Sequence, residues 1–160
     1  MNILSCTSET TTVISYNIRY DNKWDEENSW DTRKESIVHI FETYSPSFIG
    51  TQEGLAHQID YMDSVLTEYD YIGVGREDGI KKGEFCAIYY ESETYNVIES
   101  STFWLSDTPE KVSIGWDAAL ERICTYGLFE HKINKKRIWV FNTHFDHMGE
   151  ISRRKSSELI

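Results

Sequence analysis

The chain lacks most features that mark disulfide-stabilised, membrane-spanning or strongly basic proteins. Its three cysteines, Cys6, Cys86 and Cys124, have the spacing of neither a metal site nor a disulfide framework. No apolar run is long enough to cross a membrane. Only 16 Lys and Arg residues stand against 27 Asp and Glu, a formal net charge of -11. This balance disfavours non-specific nucleic-acid binding, which depends on basic side chains that neutralise phosphates. It does not exclude an enzyme that meets phosphate through a metal ion.

Proline is scarce as well, with two residues in 160, and the sequence has no internal repeat and no Pro/Gly-rich linker. We therefore expect one domain over residues 13–160, preceded by a disordered tail over residues 1–12. Within that tail, Leu4-Ser5-Cys6 before a Ser/Thr tract resembles the end of a bacterial lipoprotein signal, and an ordinary frayed terminus is the alternative. The location stays open between secreted or lipid-anchored and cytoplasmic. Cys86 and Cys124 lie in apolar runs and are predicted core residues.

The spacing of apolar residues predicts helices and strands along the whole chain. A period near 3.6 indicates helices that end before Pro46, around Ile59 to Leu66, and from Gly149 to Ile160. Alternating or continuous apolar runs predict the strands Val13 to Tyr20, Ser47 to Thr51, Tyr71 to Val74, Phe85 to Tyr90, Tyr95 to Leu105, Ile123 to Lys132 and Arg137 to Phe145. Asn134-Lys135 is typical of a hairpin turn. Alternating helices and strands followed by consecutive strands indicate an α/β architecture.

Polar side chains stand at the ends of three of these predicted strands. Asn17 lies near the end of the first, Glu53 follows the second, and His144 lies at the end of the last. If the three ends meet at one rim of a sheet, the amide and carboxylate oxygens suit a divalent cation and a phosphate. The simpler alternatives are a turn role for Asn17 and a helix-capping role for Glu53.

Three further residues could complete such a site. Glu84 begins a predicted strand, and a carboxylate bonded to the His144 imidazole would orient the ring and stabilise its charged form. A histidine prepared in this way can donate a proton to a phosphate oxygen or a leaving group. Arg122 opens another predicted strand and offers a bidentate fork for phosphate. Ordinary surface ion pairs are the alternative for each of them.

The segment His144-Phe145-Asp146-His147 invites a test against a zinc site. Metallo-β-lactamase-like hydrolases use H-x-H-x-D-H for two zinc ions, and this sequence matches all but the first His, which Asn142 replaces. The loss of a zinc ligand is a serious departure, and the reading leaves Asn17 and Glu53 unexplained. A zinc hydrolase is therefore the weaker alternative.

Seven segments in order resemble the endonuclease/exonuclease/phosphatase superfamily of Mg²⁺-dependent phosphoesterases. They are Ser15-Tyr16-Asn17-Ile18-Arg19, Thr51-Gln52-Glu53, Gly83-Glu84, Phe103-Trp104-Leu105-Ser106, Gly115-Trp116-Asp117-Ala118-Ala119, Arg122-Ile123 and Thr143-His144-Phe145-Asp146-His147. The fourth and fifth look most like a bacterial branch with poorly defined substrates. The resemblance implies a four-layer α/β/β/α sandwich of two mixed sheets, truncated because about the last two-fifths of the fold is absent from this sequence.

The same resemblance implies roles for individual residues. Asn17 and Glu53 would hold Mg²⁺ (or Mn²⁺) and the phosphate, Glu84 and His144 would form the carboxylate–imidazole pair, and Arg122 would approach the phosphate. Asp146 and His147 match the pattern of the bacterial branch, without an assigned role. The family also carries a Gly-Asp-x-Asn segment, whose Asp activates the attacking water, and a late Ser-Asp-His segment. Neither occurs in these 160 residues.

The resemblance thus implies a full-length metal-dependent phosphoester hydrolase (a phosphodiesterase, phosphatase or nuclease) that directs water in line at phosphorus. Residues 1–160 alone are expected to be inactive. The competing hypothesis is a binding or scaffold domain that kept the fold and lost catalysis. The substrate can be a small molecule, a lipid headgroup or a nucleic acid, and the oligomeric state is not predicted.

Overall fold

The computed structural model describes residues 10–160. Its helices are α1 (Trp30–Tyr44), α2 (Ala56–Val65) and α3 (Glu150–Leu159). Its strands are β1 (Val13–Asn17), β2 (Phe48–Gln52), β3 (Tyr69–Ile72), β4 (Ile88–Glu91), β5 (Tyr95–Trp104), β6 (Ile123–His131) and β7 (Arg137–Thr143). The three predicted helices and seven predicted strands are all confirmed, with shifted ends.

Residues 1–9, with Cys6 and the lipoprotein-like segment, lie outside the described part, so the predicted tail stays a prediction. Within residues 10–160, no helix is long and apolar enough to cross a membrane.

The first sheet has the strand order β1-β2-β4-β3 and is mixed. β1 and β2 run parallel, and β4 pairs antiparallel with both β2 and β3. Helices α1 and α2 contribute fully buried side chains such as Phe41, Ile59 and Met62, which cluster with Ile49 and Tyr89 of the sheet. Burial of these large apolar groups fixes both helices on one face of the sheet.

The second sheet has the order β5-β6-β7, and its described strands are all antiparallel. A second apolar cluster, formed by Phe48, Ile88, Tyr95 and Phe129, fills the space between the two sheets. Helices, first sheet and second sheet therefore form successive layers. The predicted α/β fold with two stacked sheets is confirmed.

The last strand separates its side chains cleanly between two faces. Ile138 and Val140 pack into the cluster between the sheets, whereas Trp139 and Phe141 are 46% and 47% exposed on the opposite side. The Tyr126 ring lies against both of them, with its centroid 5.8 Å from each. We call the exposed side of the second sheet, with Phe103, Tyr126, Trp139 and Phe141, the outer aromatic face.

One buried asparagine ties the two sheets together. The Asn142 side chain, on β7, donates from Nδ2 to the carbonyl oxygens of Thr51 and Ala87, both at 2.8 Å. Its Oδ1 accepts a hydrogen bond of 2.7 Å from Gln52 Nε2. All three polar partners belong to the first sheet or its flanks, so Asn142 is satisfied inside the core and joins the layers below the strand ends.

The predicted strand that began at Phe85 is shorter than expected, because β4 starts only at Ile88. Residues 73–85 instead form a closed loop in which Arg76 N donates to Glu84 O, and Gly79 and Gly83 take positive φ values of 70° and 82°. The Trp104 indole fixes this loop by donating from Nε1 to the Arg76 carbonyl at 2.7 Å. Glu84 is therefore a loop residue and not a strand residue.

Two smaller predictions are confirmed. β6 and β7 are joined by a tight turn, where the amide of Lys135 donates to His131 O and Lys135 has a φ of 61°. Cys86 and Cys124 are buried and unpaired. Burial raises the pKa of each thiol to about 12, which keeps both protonated and unreactive near neutral pH.

Candidate active site

The three predicted strand ends meet at one rim of the sandwich. Asn17 Nδ2 donates to Glu53 Oε1 at 2.7 Å, and His144 Nε2 lies 3.4 Å from the same carboxylate oxygen. Asn17 and Glu53 come from the first sheet, whereas His144 follows β7 of the second sheet. The site is therefore assembled from both sheets, whereas the sequence suggested the rim of a single sheet.

Local backbone geometry explains why the chain turns at this rim. Asn17 pairs with Gln52 as the last rung of the parallel β1–β2 ladder. Beyond it, Arg19 and Glu53 adopt left-handed conformations with φ values of 57° and 65°, which end both strands. Asn17 also takes the turn role considered for it, because its Oδ1 accepts from Arg19 N at 2.8 Å.

Glu53 does not cap the following helix, so the capping alternative is wrong. The N-cap position of α2 is Leu55, and the side chain of Gln58 accepts a hydrogen bond from the Leu55 amide at 3.0 Å. The Glu53 carboxylate instead accepts from Asn17 and, at 3.3 Å, from Tyr20 N. Because the half-buried Glu53 carboxylate lies at the rim and does not cap α2, it can bind a ligand.

The donor set at this rim fits a magnesium ion. Among the described residues 10–160, no three His, Cys, Asp or Glu side chains come together as a dedicated metal site. Mg²⁺ needs no such cage, because it keeps several waters and binds through one or two carboxylates together with substrate phosphate oxygens. Glu53 and the Asn17 amide offer hard oxygen ligands of this incomplete kind.

His144 is half-buried among charged groups. Burial and the nearby Arg122 guanidinium lower the pKa of His144 below its ordinary value, against the opposing effects of Glu53 and Glu84. The ring is therefore neutral near pH 7 and carries a proton on only one of its two nitrogens.

Glu84 lies beside His144 but makes a different contact from the predicted one. Both residues line one small cavity with Arg76 and Arg122. The described hydrogen bonds of Glu84 go to Arg76, whose Nη1 donates to Glu84 Oε2 at 2.7 Å, and none goes to the His144 ring. The carboxylate–imidazole hydrogen bond is thus not formed in this structure, because a buried arginine occupies the carboxylate.

Arg76 is a site residue that the sequence reasoning missed. It is 7% exposed, and its Nε has no hydrogen-bond partner in the described structure. The only local signal was a charged residue inside the glycine-flanked run Gly75-Arg76-Glu77-Asp78-Gly79. That run is equally typical of an ordinary surface loop, and its contacts with Trp104 and Glu84 depend on the fold.

Arg122, Asp146 and His147 form a second connected group at the same rim. Arg122 Nε donates to Asp146 Oδ2 at 3.1 Å, and Arg122 Nη2 lies 3.1 Å from His147 Nδ1. Burial by itself raises the pKa of Asp146, but hydrogen bonds from the Gly149 and Met148 amides and from Arg122 outweigh it. The pKa of Asp146 therefore lies well below the usual range, and the residue is a carboxylate.

These contacts remove the zinc alternative. Asn142, which stands where that motif needs a histidine, is buried between the sheets with its amide fully bonded. Asp146 is engaged with Arg122 and backbone amides. Neither side chain is available to a metal ion shared with His144.

The Gly-Trp-Asp-Ala-Ala segment also gains a structural explanation. Asp117 accepts hydrogen bonds from Ile151 N at 3.2 Å and Ser152 N at 2.7 Å, which satisfies free amides in the first turn of α3. Ala119 N donates to Asp146 at 3.2 Å. The segment thus fixes the loop before Arg122 against the loop after His144.

Comparisons with known proteins agree with this geometry. No family model matches the sequence. A mannosyl-6-phosphatase of Bacteroides thetaiotaomicron superposes with a TM-score of 0.91 at 41% identity, over 94% of this chain and 57% of that chain. An endonuclease/exonuclease/phosphatase family protein of the same organism gives a TM-score of 0.91 at 42% identity, over 93% and 56%. An uncharacterised protein of Acanthamoeba polyphaga mimivirus is 30% identical over 138 residues, which are 82% of this chain and 51% of that protein.

The chain therefore spans little more than half the length of these relatives. Within that span it has the fold of the two Bacteroides proteins, with a TM-score of 0.91 to each. The chain belongs to the endonuclease/exonuclease/phosphatase superfamily.

Proposed function

We propose that the full-length protein is a metal-dependent hydrolase of phosphoesters. The observation that carries this proposal is the convergence of Asn17, Glu53 and His144 at one rim, with Glu53 Oε1 within 3.4 Å of both partner side chains. The likeness to a phosphatase at 41% identity supports it. Hydrolysis of model phosphoesters that requires Mg²⁺ or Mn²⁺ and stops on chelation is the direct test.

In this proposal, Glu53 and Asn17 hold the metal ion by their oxygens. When bound, the ion supplies Lewis-acid stabilisation of charge on a phosphoryl oxygen. Arg122 contributes fixed positive charge beside the phosphate. The P–O bond to the leaving group breaks as water adds in line to phosphorus, so the products are a phosphate or phosphomonoester and an alcohol.

His144 would act as a hydrogen-bond donor to the reacting phosphate. Its Nε2 lies 3.4 Å from Glu53 Oε1, so the ring stands beside the carboxylate that would hold the metal ion. A neutral imidazole can donate a hydrogen bond from its one N–H to an oxygen on which charge develops, without transferring that proton.

We expect a small phosphoester or a lipid headgroup as the substrate, in preference to long nucleic acid. The net charge of -11 gives no broad surface for the phosphate backbone, and long-chain binding needs many basic contacts. In a substrate panel at physiological salt, sugar phosphates and headgroup analogues should be cleaved with a kcat/KM at least about tenfold above that for plasmid or single-stranded DNA.

The control in that panel is the rate of DNA hydrolysis measured as a function of salt concentration. If acidic charge limits nucleic-acid cleavage, DNA hydrolysis should stay slow at low ionic strength, where any basic site would bind most tightly. Efficient cleavage of plasmid DNA at physiological salt would overturn the substrate assignment and leave the phosphoesterase assignment intact.

We also expect residues 1–160 in isolation to have negligible activity. They contain no Gly-Asp-x-Asn segment to supply a water-activating Asp, and a positioned base contributes about 10²- to 10⁴-fold. The outer aromatic face, with Trp139 and Phe141 almost half exposed, should make the piece associate. The measurements are turnover of bis-para-nitrophenyl phosphate with Mg²⁺ and elution from a sizing column.

A double variant, Trp139→Thr with Phe141→Thr, separates the two effects. It should shift the isolated piece toward the monomer without creating activity, because threonine suits a strand and removes the apolar surface. A monodisperse wild-type monomer with metal-dependent turnover would show that the described site is complete by itself.

A further inference from the structure

Asp146 is the most heavily bonded side chain at the rim. Its Oδ1 accepts from the amides of Met148 at 2.9 Å and Gly149 at 2.7 Å, and its Oδ2 accepts from Ala119 N and Arg122 Nε. The carboxylate is fully buried. With both oxygens engaged, Asp146 has no capacity left for a substrate or a metal ion, and Arg122 is the side chain that it bonds in the described part of the chain.

Arg122 is held along one edge of its guanidinium group. Nε donates to Asp146, and Nη2 contacts His147 Nδ1 at 3.1 Å. Because a guanidinium only donates, His147 Nδ1 is the acceptor in this contact. No contact in the described part of the chain engages Nη1 of Arg122, although the residue is only 4% exposed.

Arg122 stands beside the catalytic rim. Arg122 lines the same small cavity as Glu84 and His144, and its charge is close enough to lower the pKa of His144. With Nε bonded to Asp146 and Nη2 in contact with His147, Nη1 is the guanidinium nitrogen left to bind an anion.

We infer that Asp146 and His147 are positioning residues, which hold the Arg122 guanidinium so that its Nη1 side faces the phosphate. This inference rests on the proposed phosphoester hydrolysis and names two residues that act through Arg122. Pre-aligned donors lose less conformational freedom on binding, so a fixed arginine binds phosphate more tightly than a mobile one.

A purely structural role for the group makes a different prediction. Asp146 joins its own turn to the loop that carries Ala119 and Arg122 and would matter to folding in any case, so its variants do not decide the question. His147 does decide it, because it is exposed, and its described hydrogen bond is the one to Arg122. Its replacement should leave the fold intact and alter only the freedom of the guanidinium group.

The test uses the full-length protein with two His147 variants. His147→Leu removes the acceptor, whereas His147→Gln retains a side-chain oxygen that can accept from Nη2. His39→Leu, at another exposed histidine on α1, is the matched control for loss of a surface imidazole. For each variant, KM and kcat are measured on a small phosphoester, and the dissociation constant of inorganic phosphate is measured by calorimetry in the presence of Mg²⁺.

We expect His147→Leu to raise KM and to weaken phosphate binding by roughly tenfold, with kcat changed less than about twofold. His147→Gln should recover most of the loss, and His39→Leu should match the wild type. In an Arg122→Lys background, where the fixed fork is absent, His147→Leu should have no further effect.

Three results would overturn the inference. They are unchanged phosphate affinity in His147→Leu, an equal loss in the Gln variant, or a loss that persists undiminished in the Arg122→Lys background. The calorimetric measurement of phosphate binding does not depend on turnover. A wild type that binds phosphate in a His147-dependent way but hydrolyses nothing would refute the proposed function and support the positioning roles.

Discussion

Replacement of Glu53 by Gln should lower metal-dependent phosphoester hydrolysis by a factor of about a hundred or more. Gln keeps the size of the side chain and can still accept from Tyr20 N, but it removes the carboxylate charge that contacts both Asn17 and His144. A metal ion bound mainly by carboxylate and water oxygens loses its anionic ligand, and His144 loses its charged neighbour. The measurement is kcat/KM over a range of Mg²⁺ and Mn²⁺ concentrations.

Glu42→Gln, at an exposed position on α1, is the matched control and should behave as wild type. Raising the metal concentration should recover part of the activity of Glu53→Gln if lost metal affinity is the cause. Wild-type turnover in Glu53→Gln would remove this residue from the mechanism. A wild-type protein that binds phosphate without hydrolysing it, with or without metal, would favour the scaffold hypothesis.

Asp146→Asn should destabilise the folded protein by about 3 kcal/mol, the scale expected when one partner of a buried ion pair is removed. The Arg122 and Asp146 side chains are 5% and 0% exposed, so the remaining guanidinium charge would be left buried and uncompensated. Chemical denaturation in urea measures the loss. Asp63→Asn, at an exposed position on α2, should change stability by less than about 0.5 kcal/mol.

The Arg122–Asp146 ion pair also predicts how the free energy of unfolding depends on pH. The pKa of Asp146 is lower in the folded protein than the ordinary value of about 3.9 expected for the unfolded chain. Its stabilising contribution is therefore complete above that value and declines as the pH falls toward the folded-state pKa. The difference in free energy of unfolding between wild type and Asp146→Asn should become smaller as the pH falls from about 6 to about 3. A gap that stays constant across this range would contradict the assignment.

The rim of the site could be predicted from sequence because its signals are local. Asn17, Glu53 and His144 each follow an apolar run, and a polar residue in that position marks a strand end wherever the strand packs. Their meeting then requires only that the strands run to the same edge. The family resemblance supplied the identity of the rim, and the geometry brought the three side chains within hydrogen-bonding or ion-pair distance.

The rest of the site depends on contacts that no local pattern encodes. Arg76 reaches Glu84 because Trp104, 28 residues away, holds the loop that carries it. Asn142 looked like a defective zinc ligand, and its actual partners lie 55 to 91 residues away in the other sheet. Asp146 matched a family pattern without a role, because two of its four donors, Ala119 N and Arg122 Nε, lie 27 and 24 residues away and are brought to it only by the fold.

The Asn142 side chain also bears on whether the site or the secondary structure is lost first on heating. Two sheets that touch mainly through non-directional apolar packing can shear past each other by small steps at little cost. The bonds of Asn142 to Gln52, Thr51 and Ala87 are directional and resist that sliding. Because Glu53 and His144 belong to opposite sheets, a slip of an ångström or two would separate them while every strand and helix stayed intact. On heating, loss of catalytic alignment would then precede loss of secondary structure. The hydrogen bonds of the Asn142 amide would delay that loss of alignment.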